Sequence, residues 1–274
     1  MNNNQYHTEK GISSSVLKEL DISPKHCFAK YFSGNTRKKT SRAMEIGTCV
    51  HAIVLEPNTT HEVFCVIPEH LKPRTNELKR FIEETEDSGL IALKKDEFDL
   101  IKEMSYSVRA NTDALELLTD CDMIEQSFFA EYRGYTIKAR PDIFIKPCAR
   151  YPRGLIVDLK TTRDASSKFK RDAYNLRYHI QAGWYAHVLM NALNIDEIPD
   201  FVFIAVENVE PYSTSVFKCT SEFVEYGYNK SLQLFDKLTY CMESGRWPSY
   251  FEDAQELDLP ACVDIEPSIE VTYE

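Results

Sequence analysis

The sequence has no apolar run long enough to cross a membrane. Its longest unbroken apolar stretch, residues 201–206, has the length of one β-strand and falls far short of the roughly 20 residues that a spanning helix needs. The first residues also lack the basic and apolar blocks of a secretory signal peptide. We therefore expect a cytoplasmic protein with no membrane partner.

Closely spaced cysteines are missing as well. The chain has 8 cysteines, but no two of them have the C-x-x-C spacing of a zinc ribbon or a compact iron–sulfur site. Such scattered cysteines fit reduced thiols in a cytoplasm. No internal repeat or Gly/Ser linker divides the 274 residues. One large α/β domain with a sizeable core is the natural expectation at this length.

Positive charge is in short supply. The chain has 32 Lys and Arg against 43 Asp and Glu, a net charge of −11, which at first sight disfavours a nucleic-acid partner. The acid excess is concentrated at the end, because residues 252–274 hold eight acidic residues and no Lys or Arg, which leaves −3 for residues 1–251. We expect a single domain over residues 1–251, where a basic groove remains possible, and an irregular acidic tail over residues 252–274.

The hydrophobic pattern predicts helices in the first half of the chain and a sheet in the second. The helical N-terminal part, about residues 10–120, contains predicted helices over residues 13–20, 41–55 and most of 76–119. The sheet core, about residues 121–245, begins with a hairpin across Arg133-Gly134. Its predicted strands are residues 123–132, 135–145, 155–160, 201–207 and 212–219, and its helices are residues 172–191 and 221–243. This order predicts an α/β fold with a mixed central sheet flanked by helices.

Two carboxylates and a lysine occupy neighbouring predicted strands. Asp158 and Lys160 are two residues apart on one strand, so their side chains project from the same face. Asp142 follows Pro141 on the preceding strand, and adjacent strands can bring it beside Asp158. Close carboxylates repel each other unless a cation lies between them. Together these residues indicate a divalent cation, whereas alone they fit a structural salt bridge and a turn aspartate.

Two predicted helices carry further polar residues. His51 stands one turn after Gly47, which is small enough to let a ligand or another backbone approach closely. Gln181 and Tyr185, at i and i+4, share one helical face, and Tyr178 lies one turn earlier. Taken singly, His51 fits a hydrogen-bonded core histidine better than a ligand, and the tyrosines fit the rim of an amphipathic core helix.

In combination, these motifs resemble those of the PD-(D/E)xK nuclease superfamily, in its branch with the RecB-type nuclease domain. The resemblance is greatest to the nuclease domains of the exodeoxyribonuclease VIII (RecE) type, and it runs from about residue 10 to residue 250. It implies a restriction-endonuclease-like core with helical N-terminal additions. The motifs are Gly11-Ile12-Ser13, His51 with Val54-Leu55-Glu56-Pro57, Arg140-Pro141-Asp142, Val157-Asp158-Leu159-Lys160-Thr161-Thr162, Phe169-Lys170, Arg177-Tyr178-His179, Gln181 with Tyr185, Phe201-Val202-Phe203 and Trp247-Pro248.

The resemblance implies a role for each matched residue. His51, Asp142 and Asp158 would bind a metal ion together with the main-chain carbonyl of Leu159. Carboxylates and a carbonyl suit Mg²⁺, and one imidazole makes Mn²⁺ an acceptable substitute. Lys160, its pKa lowered by the ion, would hold or deprotonate the attacking water.

A DNA path past this site is also implied. Gln181 would join Asp142, Asp158 and Lys160 as a catalytic residue and would orient water or phosphate. Glu131, on the strand before Asp142, is a candidate carboxylate either behind the metal ligands or on a second metal ion. The residues expected to contact DNA are Tyr178, Tyr185, Arg140, Arg163, Lys170 and Arg177, and a second basic cluster comprises Arg37, Lys38, Lys39 and Arg42.

The implied function is that of a Mg²⁺-dependent exodeoxyribonuclease acting on the ends of double-stranded DNA. By resemblance it would proceed 5′ to 3′ and leave 3′ single-stranded overhangs for annealing-type recombination and repair, in a bacterial or phage-infected cell. A ring-shaped homo-oligomer and a single-strand annealing recombinase are the expected partners. The alternatives are a CRISPR-associated-type single-strand nuclease without an iron–sulfur cluster and a non-catalytic DNA-binding subunit with the same fold.

Overall fold

A computed structural model describes residues 3–34, 40–251 and 253–257. The predicted basic residues 37–39 and most of the predicted acidic tail lie outside these ranges. The helices are α1 (Asn3–Thr8), α2 (Ser14–Ile22), α3 (Pro24–Cys27), α4 (Arg42–Leu55), α5 (Asn76–Asp87), α6 (Lys95–Ala110), α7 (Thr112–Thr119), α8 (Phe169–Asn175), α9 (Tyr178–Leu193) and α10 (Ser221–Ser244), with a π-helical turn (Phe28–Phe32) and a 3₁₀ turn (Thr60–Glu62). The strands are β1 (Phe64–Val66), β2 (Ile91–Leu93), β3 (Met123–Ile124), β4 (Phe128–Tyr132), β5 (Tyr135–Ala139), β6 (Ile143–Ile145), β7 (Leu155–Thr162), β8 (Asp200–Glu207) and β9 (Thr214–Lys218).

A mixed five-stranded sheet lies at the centre of the fold, in the order β3-β6-β7-β8-β9. Strands β7 and β8 are parallel, because the chain crosses between them through α8 and α9, and the other neighbours are antiparallel. Strands β4 and β5 form a separate hairpin, and β1 and β2 form a small parallel pair. The predicted fold class, an α/β fold with a mixed sheet between helices, is confirmed.

Hydrophobic cores cover both faces of this sheet. Along β8, Phe201 and Phe203 belong to the core that contains α9 and α10, whereas Val202 and Ile204 belong to the core that contains α4 and α6. Successive strand residues point to opposite faces, so a strand that is covered on both sides is apolar throughout. This position explains why the longest apolar run of the sequence is β8.

Two predicted strands are each divided by a bend. Residues 123–132 form β3 and β4, and residues 135–145 form β5 and β6, so only β4 and β5 make the hairpin across Arg133-Gly134. One bend contains Glu125, whose φ is +48°. The other contains Pro141, which has no N–H to donate to a strand ladder. Strands β3 and β6 pair with each other in the central sheet instead.

The helix predicted over residues 172–191 is likewise two helices, α8 and α9. They are separated because Arg177 adopts a left-handed backbone conformation, with φ of +60°, directly before Tyr178. Tyr178 therefore begins a new helix, on which Gln181 follows after about one turn.

Helices α9 and α10 cross in close contact at two glycines. A Cβ atom on Gly183 would lie 2.0 Å from the main-chain nitrogen of Tyr228, and one on Gly227 would lie 1.8 Å from the carbonyl oxygen of His179. Only glycine fits such an approach. The crossing fixes the position of α9, which carries several of the predicted site residues. None of the helices within the described ranges has the length and apolar character to span a membrane.

Candidate metal centre and active site

Three possible metal ligands from separate parts of the chain meet beside the central sheet. His51 comes from α4, Glu125 from the bend after β3, and Asp142 from the residue before β6. One ligand atom from each lies within 4.8 Å of the others. The Nδ1 atom of His51 is 3.3 Å from a carboxylate oxygen of Asp142 and 3.8 Å from one of Glu125. We refer to these three residues as the ligand cluster.

The sheet holds Asp142 in place. Its carboxylate accepts a 2.5 Å hydrogen bond from the main-chain N–H of Leu159, and its own carbonyl accepts one of 2.8 Å from the N–H of Glu125. The β6–β7 ladder ends at the pair of Ile143 and Val157, so the amide of Leu159 is available for the Asp142 side chain. Leu159 therefore contacts this site through its N–H, and its carbonyl as a metal ligand stays a prediction.

Asp158 is almost fully buried beside the ligand cluster but faces other partners. One carboxylate oxygen accepts a 2.6 Å hydrogen bond from Nε2 of Gln181, and the other is ion-paired with Nζ of Lys160. The spacing of two residues along β7 correctly places Asp158 and Lys160 side by side. Glu125, rather than Asp158, joins His51 and Asp142 in the cluster, and metal binding by Asp158 stays a prediction.

The electrostatics of the site favour a bound cation. Burial lowers the pKa of His51, but the carboxylates of Asp142 and Glu125 outweigh it and raise the pKa to about 10. Burial raises the pKa of Asp158 to about 6 against the effect of Lys160. For Lys160 itself, burial lowers the pKa, and the carboxylates of Asp158 and Asp142 more than reverse this. A dication in the cluster would replace the proton on His51. Its positive charge would also lower the pKa of Lys160, against the effect of the two carboxylates.

Two tyrosines of α9 line the site next to Gln181, as their helical spacing predicts. The Nζ atom of Lys160 lies over the ring of Tyr178, 4.9 Å from its centroid. Burial, followed by the nearby Asp158 carboxylate, raises the pKa of Tyr185 well above its ordinary value, so this phenol is neutral. Both tyrosines are half-buried, which leaves part of each side chain accessible to a ligand.

Glu125 is the site residue that the sequence does not reveal. It lies within an apparently continuous strand, where an acidic residue is usually solvent-facing. The position of the Glu125 side chain depends on the positive φ of this residue and on a 2.8 Å ion pair with Nε of Arg140. Arg140 is buried and also donates a 2.7 Å hydrogen bond to Oγ of Ser127. Arg140 therefore orients Glu125, and its predicted contact with DNA stays a prediction.

The other predicted residues lie outside the ligand cluster. Glu131 is exposed on β4 and hydrogen-bonded within its own hairpin, so the structure does not bring it to the three ligands. Arg163, after β7, and Lys170, on α8, are exposed. Arg177 is half-buried and ion-paired with an aspartate of α2 at 2.6 Å. DNA contacts by the three basic residues stay predictions.

The ligand cluster suits a hard divalent cation. It offers one imidazole nitrogen and two carboxylate oxygens, a set found around Mg²⁺ and Mn²⁺. The two carboxylates lie close together, and a dication between them removes their mutual repulsion. Arg140 and Leu159 fix the orientation of the two carboxylates before any ion arrives.

Comparisons with known proteins bear on the family and the fold of the chain. Residues 13–260 match the family model described as "PDDEXK-like domain of unknown function (DUF3799)". No curated protein matches the chain significantly. A crystal structure of a protein from Eubacterium rectale, named provisionally as an exonuclease, is similar with a TM-score of 0.64 and 14% identity, covering 95% of each chain. At this identity the likeness concerns the fold. The structure of the protein SSO0001 aligns over 80% of this chain and 84% of its own, with a TM-score of 0.26 and 10% identity. This score is too low to indicate a shared fold.

Proposed function

The chain belongs to the PDDEXK-like family whose model it matches, and from this premise we propose that it is a Mg²⁺-dependent nuclease that hydrolyses phosphodiester bonds in DNA. The observation that carries the proposal is the convergence of His51, Glu125 and Asp142 within 4.8 Å. The ion pair of buried Asp158 with half-buried Lys160 lies directly beside them. A buried carboxylate is costly even when it is paired, and a purely structural site gains little from it.

Each residue of the site has a chemical task in this proposal. His51, Glu125 and Asp142 would hold the ion, with Asp158 next to them. When bound, Mg²⁺ polarises a phosphoryl oxygen and lowers the pKa of a coordinated water. Lys160 faces the same space and would hold the attacking water and stabilise negative charge on the scissile phosphate.

Gln181 and Asp158 keep Lys160 in position. The 2.6 Å hydrogen bond from Gln181 fixes one carboxylate oxygen of Asp158, and the other oxygen holds the ammonium group. In-line attack of water on the phosphorus would then break its bond to the 3′ oxygen, so that one product has a 5′ phosphate and the other a 3′ hydroxyl. Tyr178 and Tyr185 border the same space, and their neutral rings offer contacts to sugar or base rather than to phosphate.

For the substrate, we propose the ends of double-stranded DNA, degraded 5′ to 3′ so that a 3′ overhang remains for a single-strand annealing recombinase. Exposed Arg163 and Lys170 follow the Asp158 strand and can supply phosphate contacts without regard to sequence. A ring-shaped homo-oligomer, as the resemblance implies, would let a net-acidic chain stay on its substrate if the channel is basic.

The test is digestion of a duplex that carries a different fluorophore at each end of each strand, with Mg²⁺. We expect progressive loss from 5′ ends, no reaction in a chelator, and binding without cleavage in Ca²⁺, which holds looser coordination geometry. Lys160→Ala should lower the rate at least about 100-fold, whereas Lys79→Ala, at an exposed site on α5, should not.

The outcomes separate the possible functions. Digestion of single-stranded DNA alone would indicate the single-strand nuclease, and binding without cleavage in any divalent cation would indicate a non-catalytic subunit. Cleavage in the chelator, or unchanged digestion by Lys160→Ala, would contradict the proposed site.

A further inference from the structure

Helix α2 places a second lysine at the edge of the active site. The Nζ atom of Lys18 lies over the ring of Tyr178, 5.4 Å from its centroid, and Lys160 lies 4.9 Å from the same centroid. One phenol ring thus contacts two ammonium groups from distant parts of the sequence. Their separation cannot exceed the sum of these two distances, which is short enough for both to contact one stretch of a DNA strand.

Lys18 has no carboxylate partner among the described residues, although acidic groups are close. The two acidic residues of α2 are already paired with other cations: Glu19 with Lys30, and Asp21 with Arg177, from which it accepts a 2.6 Å hydrogen bond. Burial, and after it the ammonium of Lys160, lowers the pKa of Lys18 to about 8. Lys18 is thus a cation without a carboxylate partner, next to the ion-paired Lys160. This arrangement is unfavourable in the free protein and becomes favourable when an anion arrives.

The position of Lys18 is fixed through Asp21, which lies one turn later on the same face of α2. Asp21 accepts hydrogen bonds from Arg177 and, at 3.0 Å, from Lys230 of α10. Arg177 reaches Asp21 from a left-handed backbone conformation immediately before Tyr178. Non-glycine residues rarely adopt this conformation without support from their surroundings. This ion-pair group ties α2 to α9 and α10, and so sets Lys18 against Tyr178.

We propose that Lys18 is a phosphate-binding residue of the active site, which contacts the DNA phosphate next to the one that Lys160 serves. The inference rests on the proposed function for its substrate. An incoming phosphate supplies the anionic partner that Lys18 lacks, and the ring of Tyr178 lies in contact with both lysines. Asp21 acts as a positioning residue that holds Lys18 in place through α2.

The experiment measures binding of a fluorescent duplex in Ca²⁺ as a function of salt, so that cleavage does not interfere. Lys18→Met keeps the length of the side chain and removes the charge. It should weaken binding about tenfold and reduce the slope of log K against log salt by about 0.9, the value for one lost phosphate contact. Lys18→Arg should retain the slope, and Lys79→Met, at an exposed lysine of α5, should behave as wild type.

Thermal unfolding separates this role from a structural one. Because the charge of Lys18 is unfavourable in the free protein, Lys18→Met should unfold at the wild-type temperature or higher while it binds DNA more weakly. An unchanged salt slope, or weaker binding that accompanies a lower unfolding temperature, would overturn the proposal. A wild-type protein that binds duplex DNA but never cuts it would instead overturn the nuclease function, and the slope of Lys18→Met would still decide the phosphate contact.

Discussion

At the scale of single residues, the two buried aspartates of the site differ in their surroundings. Burial raises the pKa of Asp142, but protonated His51, Lys160 and the Leu159 amide outweigh it and hold the pKa below its ordinary range. Asp158 is more deeply buried, and its pKa rises to about 6 despite the adjacent Lys160. Asp142 is therefore the permanent anion of the site, whereas Asp158 depends on its cationic neighbour to stay charged.

Glu125 is open to a direct test by comparison with Glu131. Glu125→Gln should weaken Mn²⁺ binding about 10- to 100-fold, because it removes one of the two anionic oxygens of the ligand cluster. Glu131→Gln is a matched control at an exposed hairpin position and should bind as wild type. Calorimetric titration with Mn²⁺ measures both. Equal losses in the two variants, or a loss in Glu131→Gln alone, would show that Glu125 is not a ligand.

At the scale of elements, α9 organises the site, and its crossing with α10 holds it in place. Gly227→Ala should destabilise the fold by roughly 1–3 kcal/mol, because its Cβ would overlap the carbonyl of His179 and force the helices apart. This cost exceeds the gain of up to about 1 kcal/mol in helix propensity. Urea denaturation gives the free energy of unfolding.

Gly47→Ala is the matched control for the crossing. Gly47 is also helical, but its Cβ would find only Oγ1 of Thr161, at an ordinary distance of 3.6 Å. We expect this variant to be as stable as wild type or more stable, by up to about 1 kcal/mol. If Gly227→Ala were equally well tolerated, the close helix contact would not be a determinant of stability.

The same helix makes stability depend on pH through His187. This side chain is almost fully buried, it stacks edge-on against Tyr132, and its Nδ1 atom lies 3.2 Å from the hydroxyl of Tyr228. Burial, reinforced by the positive charge of Arg133, lowers its pKa to about 4. Between pH 6.5 and pH 4 the unfolded chain therefore binds a proton that the folded chain excludes, and stability falls as the pH falls.

His187→Phe should remove this dependence. Relative to the variant, wild type should lose at most about 3 kcal/mol of unfolding free energy between pH 7 and pH 4. His61→Gln, at an exposed histidine, should keep the wild-type pH profile. The measurement is urea denaturation at several pH values, and parallel profiles for wild type and His187→Phe would contradict the assignment.

At the scale of the whole molecule, charge is divided unevenly along the chain. Truncation after Tyr250 removes all eight acidic residues of positions 252–274 and keeps the contact of Tyr250 with His26. We expect catalysis and metal binding to be spared. DNA binding should tighten at low salt, because long-range repulsion is reduced, and should match the full chain at about 1 M salt, where charges are screened.

Salt-dependent binding by the full and truncated chains measures this effect. Intrinsic fluorescence or circular dichroism of the truncated chain provides the control for folding. Weaker Mn²⁺ binding by the truncated chain would show that the tail contributes to the metal site, and an affinity difference that persists at high salt would show direct contact with DNA.

The sequence alone determined the α/β class, the pairing of Asp158 with Lys160 and the shared face of Tyr178, Gln181 and Tyr185. Each follows from a local period, either two residues along a strand or about four along a helix. The motif order also pointed to the family, which the match over residues 13–260 shows.

Three contacts are visible only in three dimensions: Glu125 joins His51 and Asp142, Arg140 is buried behind Glu125, and Lys18 lies against Tyr178. These contacts depend on a positive φ at Glu125, on the ending of the β6–β7 ladder, and on helices that pack together from opposite ends of the chain. Periodicity describes how neighbours along one element are arranged. It contains no information on which bend or which helix a distant charge will meet, because burial and long-range packing settle that in three dimensions.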